Sequence, residues 1–290
     1  MSWFVIDRLF IKNDFHSQFH FFIENLQAGR FYFLIIAVLL MPVNWMVETL
    51  KWKILLSTKT SFTNLFKSVV AGISVGFVTP GRSGEFMGRV LFLEDDNKTK
   101  AFYISSIGGF AQTATSLVTG VPFVYLWSGS QFLTEITAGA AAIYLLIYFR
   151  FDLLNKFIAS IPLLQKYGLT IGHAHLPDMD VQVKGLLLSF LRFFVYSSQY
   201  VLLLLFFGAG NEILQLTVHS IVFLLVQTYS PLMPLLDISF RNGSALYVFK
   251  NYTADNLAVL SAVTMVWLLN LVVPAIAGYL FIFKRKWVSV

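Results

Sequence analysis

The chain has 290 residues, of which 57% are hydrophobic and only 12% are charged, whereas an ordinary globular domain has about 25% charged residues. A soluble protein of this length cannot hide so much apolar surface, so the composition excludes a soluble enzyme and predicts an all-α bundle of membrane helices. The formal net charge of +6 does not indicate nucleic-acid binding, because no soluble segment combines a basic stripe with aromatic residues.

Two kinds of chemistry are excluded by residues that the sequence lacks. The chain contains no cysteine, which removes disulfides, cysteine-bound zinc and thiol catalysis. It also contains no glycine-rich loop ending in Lys-Ser or Lys-Thr, the phosphate-binding loop of many ATPases. We therefore expect no cofactor and no metal, and we do not expect an enzyme.

Residues 1–30 are too charged for an apolar span or for the core of a signal peptide. Their mixture of aromatic and charged residues predicts an amphipathic helix at the membrane surface. His16 and His20 lie one helical turn apart in it. Interfacial packing explains this pair better than a metal site, which needs further fixed ligands.

Five segments are long and apolar enough to cross a bilayer, which takes about 20 residues. In chain order they are residues 31–50, 101–127, 132–148, 185–207 and 256–283. The polar residues 163–182 predict a linker between a first half, 31–162, and a second half, 183–284, of one transmembrane domain, 31–290. We do not assign a metal site to this linker, because its His173, His175, Asp178 and Asp180 have no fixed geometry.

Two further apolar segments, residues 65–79 and 213–230, are too short to cross. Each ends in a proline-containing turn that stops a helix, and the predicted helix breaks are Pro80, Gly81 and Pro234. The pattern predicts two re-entrant hairpins, helices that enter the membrane, break and return. Broken helices at membrane depth persist only where protein or a polar cavity surrounds them.

The positions of lysine and arginine predict the topology. Basic residues flank one end of each span, whereas the connections 128–131 and 208–212 contain none. The positive-inside rule then places the N-terminus outside and the C-terminus in the cytoplasm. The two hairpins would enter from opposite sides, which predicts two inverted repeats and a transport site between them. The alternative is that the hairpins only pack the core of the bundle.

The densest polar motif follows the first break. Arg82, Glu85 and Arg89 are three and four residues apart, so they share one helix face. Two arginines beside one glutamate leave an excess positive charge, which in a membrane requires an anion. A helix that starts after Pro80 and Gly81 would also direct free backbone N–H groups there, and a phosphate suits such a place.

Asp237 and Arg241 follow the second break. We predict that Asp237 pairs with Arg82 or Arg89 across the pseudo-two-fold axis that would relate the two hairpins. The predicted substrate-binding residues are therefore Thr79, Arg82, Ser83, Glu85, Arg89, Asp237, Arg241 and Ser244. The alternative is a closed salt-bridge lock between the two hairpins.

Two other ionisable residues receive structural interpretations. Glu48 lies one turn from Lys51, and this spacing predicts an ion pair at the inner membrane interface rather than a proton relay. His219, inside the second broken segment, is assigned to packing rather than to a titratable gate.

The motif that carries a family resemblance is Thr79-Pro80-Gly81-Arg82-Ser83-Gly84-Glu85 with Arg89, preceded by Asn44-Trp45, Glu48 and Lys51-Trp52-Lys53. It resembles the lysylphosphatidylglycerol synthase transmembrane-region family, the flippase domain of multiple-peptide-resistance proteins and their stand-alone relatives. Residues 234–244 resemble the second re-entrant motif of stand-alone members, which often have a glycine-rich stretch where this chain has Leu235-Leu236-Asp237. The resemblance covers most of the chain from residue 31 onward and includes no aminoacyl-transferase domain.

The resemblance and the charge pattern together predict a flippase-like lipid translocase, which moves an anionic or glycosylated phospholipid between leaflets. Arg82, Arg89 and Arg241 would hold the headgroup phosphate, while Glu85 and Asp237 tune those charges. The expected partners are a phospholipid or lipid-linked substrate and a separate glycosyl- or aminoacyl-transferase. One alternative is a membrane-embedded enzyme on a polyprenyl or phospholipid substrate, with Glu85 or Asp237 as general base. Another is a structural subunit for such an enzyme.

Overall fold

The computed structural model describes residues 15–27, 29–93, 98–152, 156, 177–230 and 232–284, and this part of the chain is helical without any strand. In chain order its helices are α1 (Phe15–Gln27), α2 (Phe31–Leu56), α3 (Phe62–Phe77), a 3-10 turn (Pro80–Arg82), α4 (Glu85–Val90), α5 (Lys98–Ser128), α6 (Gln131–Phe149), α7 (Met179–Phe206), α8 (Ile213–Thr228), α9 (Ile238–Phe249), α10 (Asn256–Trp267), a π-helix (Leu268–Val272) and α11 (Val273–Phe283).

Four helices in the described ranges are long and apolar enough to cross a membrane: α2, α6, α7 and the continuous stretch Asn256–Phe283. They correspond to four of the five predicted spans. The fifth, residues 101–127, lies in the 31-residue helix α5, which is long enough to cross but less apolar than the other four. The two segments predicted to be too short are indeed the short apolar helices α3 and α8.

Large apolar side chains cover the outside of the long helices. Leu39, Ile143 and Leu187 are each more than half exposed. Exposing apolar surface to water costs about 25 cal/mol of free energy for each Å², whereas exposing it to lipid hydrocarbon does not carry this cost. The chain is therefore built as a membrane protein.

The helices α2 and α7 pack as an antiparallel pair. Gln199 of α7 donates to the carbonyl of Ala37 at 2.9 Å, near the start of α2. At the other end Gly185 meets Leu55, whose Cδ2 would lie 2.6 Å from an added Cβ. Since α7 begins at Met179, the last four residues of the predicted linker belong to this helix, which corrects that boundary; residues 157–176 of the chain lie outside the described ranges.

Each short helix packs against a long helix from the other half of the chain. Helix α3 lies on α11, and a Cβ added at Gly278 would be 2.2 Å from the carbonyl oxygen of Val70. Helix α8 lies on α5, and a Cβ added at Gly120 would be 3.0 Å from Leu225. Glycine thus permits the close approach in both places. The short helix of each half therefore packs on a long helix of the other half.

The first break folds α4 back onto α3. Gly81 and Arg82 both have positive φ, 54° and 59°, which glycine adopts freely but which costs an arginine about 1–3 kcal/mol. Gly88 of α4 then packs so closely on α3 that an added Cβ would lie 2.4 Å from the carbonyl oxygen of Ala71. Pro80 and Gly81 lie between the two helices, as predicted.

The second break lies between α8 and α9, and its tip contacts the tip of the first. The Leu235 amide donates to the Phe77 carbonyl at 3.2 Å. Trp267, at the end of α10, donates its indole N–H to the Pro234 carbonyl at 3.0 Å, and its ring lies 6.1 Å from that of Phe77. Three elements therefore meet where the two helices break.

Helix α1 is amphipathic, as predicted for the N-terminal segment. Its Phe21 and Phe22 pack on Phe206 and Phe207 at the end of α7. Its exposed side carries Glu24, which pairs with His20 at 3.1 Å. Residues 1–14, the rest of the predicted surface segment, and the side chain of His16 lie outside the described part.

Candidate functional site

A cavity of about 660 Å³ lies between the two halves, a volume typical of small-molecule sites. Its wall includes residues from α2, both breaks, α4, α5, α7, α8, α9 and the π-helix. Six of the eight predicted substrate-binding residues line it: Arg82, Ser83, Glu85, Arg89, Asp237 and Arg241. The predicted helix breaks Gly81 and Pro234 line it as well. The tertiary structure thus brings the two predicted motifs to one place.

The other two predicted residues, Thr79 and Ser244, are not part of the wall. The Thr79 hydroxyl accepts from the Gly84 amide at 2.9 Å and donates to the Val75 carbonyl at 3.2 Å. The Ser244 hydroxyl donates to the Arg241 carbonyl at 3.0 Å and accepts from the Gln227 side-chain amide at 2.6 Å. Each hydroxyl therefore holds the local backbone in shape instead of facing a ligand.

The predicted row of free backbone N–H groups at the first break is absent from this turn. The amide of Arg82 donates to the Thr79 carbonyl at 3.2 Å, and that of Ser83 donates to the Pro80 carbonyl at 3.0 Å. The Gly84 amide is used by the Thr79 hydroxyl. The break closes into a 3-10 turn that uses its own donors, so these three amides are not free to bind a ligand.

A network that we call the first ion cluster occupies one side of the cavity. It consists of Glu48 and Lys51 of α2, Arg82, Glu85 and Arg89 around the first break, and Arg192 of α7. Glu48 is its centre: Oε1 lies 2.7 Å from Arg89, while Oε2 lies 2.8 Å from Lys51 and 3.1 Å from Arg192. One carboxylate therefore contacts three cations.

The second carboxylate of this cluster, Glu85, joins the break to α4. One of its oxygens lies 3.0 Å from Arg82, and the other contacts Arg89. Arg89 also lies over the indole ring of Trp52, 4.9 Å from its centroid, a cation–π contact that stabilises a guanidinium away from water. Arg89 is therefore held by two carboxylates and one aromatic face.

The predicted contact between Glu48 and Lys51 is present, at 2.8 Å. Glu48 is only 4% exposed and Lys51 only 2%, so the pair is interior to the bundle. The sequence near Glu48 offers a single cation within one turn. Arg89 and Arg192 reach it only because α4 folds back and α7 packs against α2.

Arg192 is the functional residue that the sequence interpretation missed. It stands near the midpoint of the 28-residue apolar helix α7, where an arginine is costly and marks a functional position. An arginine in the middle of an apolar segment is the sequence feature that could have identified it. Its Nε donates to Asn44 at 3.0 Å and its Nη1 to Gln112 at 3.3 Å.

Asn44 extends the polar contacts of Arg192 to the last membrane helix. Its side-chain amide donates to the Asn270 oxygen at 3.0 Å. Asn270 lies in the π-helix, and single π turns are frequent at functional sites. The same π-helix follows Trp267, which binds the tip of the second break. The first ion cluster and the two breaks are thus connected through one irregular turn.

A second ion cluster is formed by Asp237, Arg241, Ser230 and Tyr200. The first three line the cavity, whereas Tyr200 contacts Arg241 without being part of the wall. Arg241 lies 2.8 Å from Asp237 and donates to the Tyr200 hydroxyl at 3.1 Å. Ser230 donates to the other Asp237 oxygen at 2.8 Å. These contacts all lie within the second half of the chain, and they leave the buried Nε of Arg241 without a hydrogen-bond partner among the described residues.

The predicted pairing of Asp237 with Arg82 or Arg89 is therefore wrong. Asp237 pairs with Arg241 one turn further along the chain, because α9 presents both on one face. Within the described ranges no ion pair joins the two clusters, which removes the basis for a salt-bridge lock between the hairpins.

The cavity wall carries more positive than negative side chains. In the described part of the chain the basic residues that line it are Lys51, Arg82, Arg89, Arg192 and Arg241, and the acidic ones are Glu48, Glu85 and Asp237. Two positive charges remain in excess. An interior excess of this kind attracts an anion.

One wall of the cavity, on α5, is polar and uncharged. Ser105, Ser106, Gly109, Gln112, Thr113 and Ser116 line it, at spacings that place them on one face of the helix. Gly109 leaves room, since no atom lies within 4 Å of an added Cβ. The wall explains why α5 is less apolar than the other long helices.

The histidine and metal predictions have different outcomes. His219 is buried, bonds to the Gln215 carbonyl at 2.8 Å and packs against the rings of Phe249 and Tyr252, so its packing role is confirmed. Asp180, from the predicted linker, pairs with Lys184 at 3.0 Å, whereas His173 and His175 lie outside the described residues. Among the residues that are described, no three metal-binding side chains come together.

No protein-family model, curated protein or solved structure matches this chain. The site is therefore interpreted from its own geometry and chemistry, and the family resemblance of the motifs remains a prediction.

Proposed function

We propose that this protein is a lipid translocase that moves an anionic or glycosylated phospholipid between the leaflets of a bacterial inner membrane. The observation that carries the proposal is the cavity with two excess positive charges, lined by both broken segments of a membrane protein. A lipid phosphate is an anion that such a protein meets at high concentration, and arginine forks match its oxygens.

The reciprocal packing of the two halves supports an alternating mechanism. Helix α3 of the first half lies on α11 of the second, and α8 of the second lies on α5 of the first. Two inverted repeats related by a pseudo-two-fold axis would pack in this reciprocal way, and transporters of that design bind substrate where the repeats meet. In the proposal the broken segments expose the cavity to each leaflet in turn.

The rival function is a membrane-embedded enzyme in which Glu85 or Asp237 removes a proton from the substrate. Glu85 contacts two arginines, and Asp237 is bound by Arg241 and Ser230. A general base needs an oxygen that reaches the substrate proton, and these oxygens are already used by cations or a hydroxyl. The geometry therefore favours binding and transport over base catalysis.

The proposal is tested by identifying the lipids that co-purify with the wild-type chain, Arg82→Ala and Arg241→Ala. The matched control is Lys184→Ala, since Lys184 is exposed and pairs only with Asp180 on the outside of α7. We expect one anionic lipid class to be enriched with the wild type and the control, and lost with both arginine variants. An identical, unselective lipid profile in all four proteins would contradict a headgroup site.

A second measurement separates transport from catalysis. Purified protein in liposomes should speed the exchange of a fluorescent anionic lipid between leaflets without changing its chemical structure. If Glu85→Gln abolished a chemical conversion of the lipid while the lipid still bound, the enzyme would replace the translocase as the function.

A further inference from the structure

Among the described wall residues, the excess positive charge of the cavity belongs to the first ion cluster. The first ion cluster contains four basic residues, Lys51, Arg82, Arg89 and Arg192, and two acidic residues, Glu48 and Glu85. The second ion cluster contributes Arg241 and Asp237, which neutralise each other. An anion that balances the cavity therefore belongs at the first ion cluster, and it must supply two negative charges.

The first ion cluster has no internal anion left to supply those charges. Both oxygens of Glu48 and both oxygens of Glu85 already contact cations. The other acceptors around Arg192 are the neutral amides of Asn44 and Gln112. The described wall residues of α5 and α8 are uncharged, and α7 adds no carboxylate to the described wall. The rest of the described wall therefore supplies no further negative charge.

Buried N–H donors without a hydrogen-bond partner belong to the described wall residues: the Nε of Arg241 in the second ion cluster, and two more outside that cluster. The Nε of Arg89 is buried and has no hydrogen-bond partner, and the indole N–H of Trp45, also on the cavity wall, has none either. Both side chains are at least nine-tenths buried. An unmade hydrogen bond of a buried donor costs about 1–3 kcal/mol, so an anion with several oxygens would satisfy both charge and donors.

We propose that the transported lipid carries a doubly charged phosphate, as in a phosphate monoester or a terminal diphosphate, and that the first ion cluster binds it. This inference rests on the proposed function. A phosphodiester headgroup carries one negative charge and would leave one positive charge in excess in the first ion cluster, two of whose cations, Lys51 and Arg89, are buried. A doubly charged phosphate leaves none, and its three free oxygens match the arginine forks.

The test compares two lipids that differ by one methyl group. Phosphatidic acid has a phosphate monoester, and phosphatidylmethanol is the corresponding methyl ester, which stays singly charged. We expect the full chain in detergent to bind phosphatidic acid about tenfold more tightly at about pH 8, and the difference to shrink towards about pH 5, because a phosphate monoester takes up its second proton near pH 6. Native mass spectrometry or competition for a labelled lipid measures both affinities.

The assignment to the first ion cluster is tested by Arg192→Gln, which removes one of the excess charges. This variant should bind phosphatidic acid and phosphatidylmethanol with nearly equal affinity. Lys184→Gln, outside the cavity, should keep the wild-type preference for phosphatidic acid. Thermal melting identifies a variant that fails to fold. The pH series on the wild type needs no variant and decides the charge question by itself.

Each other outcome overturns a different statement. Equal binding of the two lipids at both pH values, with both lost in Arg82→Ala, would overturn the doubly charged ligand and leave the lipid translocase standing. Binding of neither lipid above phosphatidylcholine would overturn the proposed function itself. Displacement of phosphatidic acid by an equal concentration of glycerol 3-phosphate would assign the site to a water-soluble phosphate ester instead of a lipid.

Discussion

Arg192 of α7 contacts Glu48 of α2 at 3.1 Å in the interior of the bundle, although the two residues belong to different halves of the chain. The contact completes a set of three cations around one carboxylate. It explains how an arginine in the middle of an apolar helix is tolerated. Four predictions follow from this arrangement and from the packing around it, besides the binding tests above.

Replacing Glu48 with glutamine should destabilise the protein strongly. The change leaves Lys51, Arg89 and Arg192 without their shared counter-charge, and removal of one partner from a buried ion network costs about 3–5 kcal/mol. Melting in detergent, followed by tryptophan fluorescence, measures the effect. The double variant Glu48→Gln with Lys51→Met should recover part of the loss.

The control for this change is Glu135→Gln, because Glu135 is exposed on α6 and contacts Gln131. We expect its melting temperature to stay near that of the wild type. Equal melting temperatures for Glu48→Gln and Glu135→Gln would show that the network contributes nothing to stability. Addition of an anionic lipid should protect wild type and Glu135→Gln alike.

Gly88→Ala should disrupt the fold of the first break. The added Cβ would lie 2.4 Å from the Ala71 carbonyl oxygen, and backbone must move to relieve the clash at a cost of about 1–3 kcal/mol. Gly139→Ala is the matched control, since nothing lies within 4 Å of its added Cβ and alanine stabilises a helix by about 1 kcal/mol relative to glycine. The prediction fails if both variants melt at the same temperature.

Gly109→Leu should close the cavity without harming the fold. Gly109 lines the cavity, and no atom lies within 4 Å of an added Cβ, so a leucine would occupy open space at the cavity wall. We expect normal melting but at least tenfold slower lipid exchange in liposomes. Gly139→Leu places the same side chain on the outside of α6 and should exchange lipid at the wild-type rate; equal rates for the two variants would argue against transport through this cavity.

Trp267→Phe should affect transport more than stability. The change removes the hydrogen bond to the Pro234 carbonyl but keeps a ring against Phe77, so we expect a loss of about 1 kcal/mol. Trp127→Phe removes a bond of the same kind and length, to the Val248 carbonyl, away from the breaks. Both variants should melt slightly earlier, whereas only Trp267→Phe should alter the rate of lipid exchange.

The sequence by itself determined the class of protein, because amino-acid composition decides whether a surface suits water or lipid. A chain with 57% hydrophobic residues and long apolar runs has to be helical in a bilayer, where every backbone group must find its partner within the helix. It also determined where helices stop, since Pro80, Gly81 and Pro234 act on their own backbone. Six wall residues followed from the two charged motifs next to those stops.

Only the tertiary structure decided which charges meet. Asp237 pairs with Arg241 one turn further along the chain. Glu48 is surrounded because α4 folds back onto α3, which brings Arg89 to it, and because α7 lies antiparallel to α2. Arg192 and the polar face of α5 enter the site for the same reason. An ion pair depends on distances of a few Å between side chains, and the helix packing that sets those distances is a property of the whole bundle. Local pattern fixes where a helix begins and ends, but it does not specify which neighbour that helix will have.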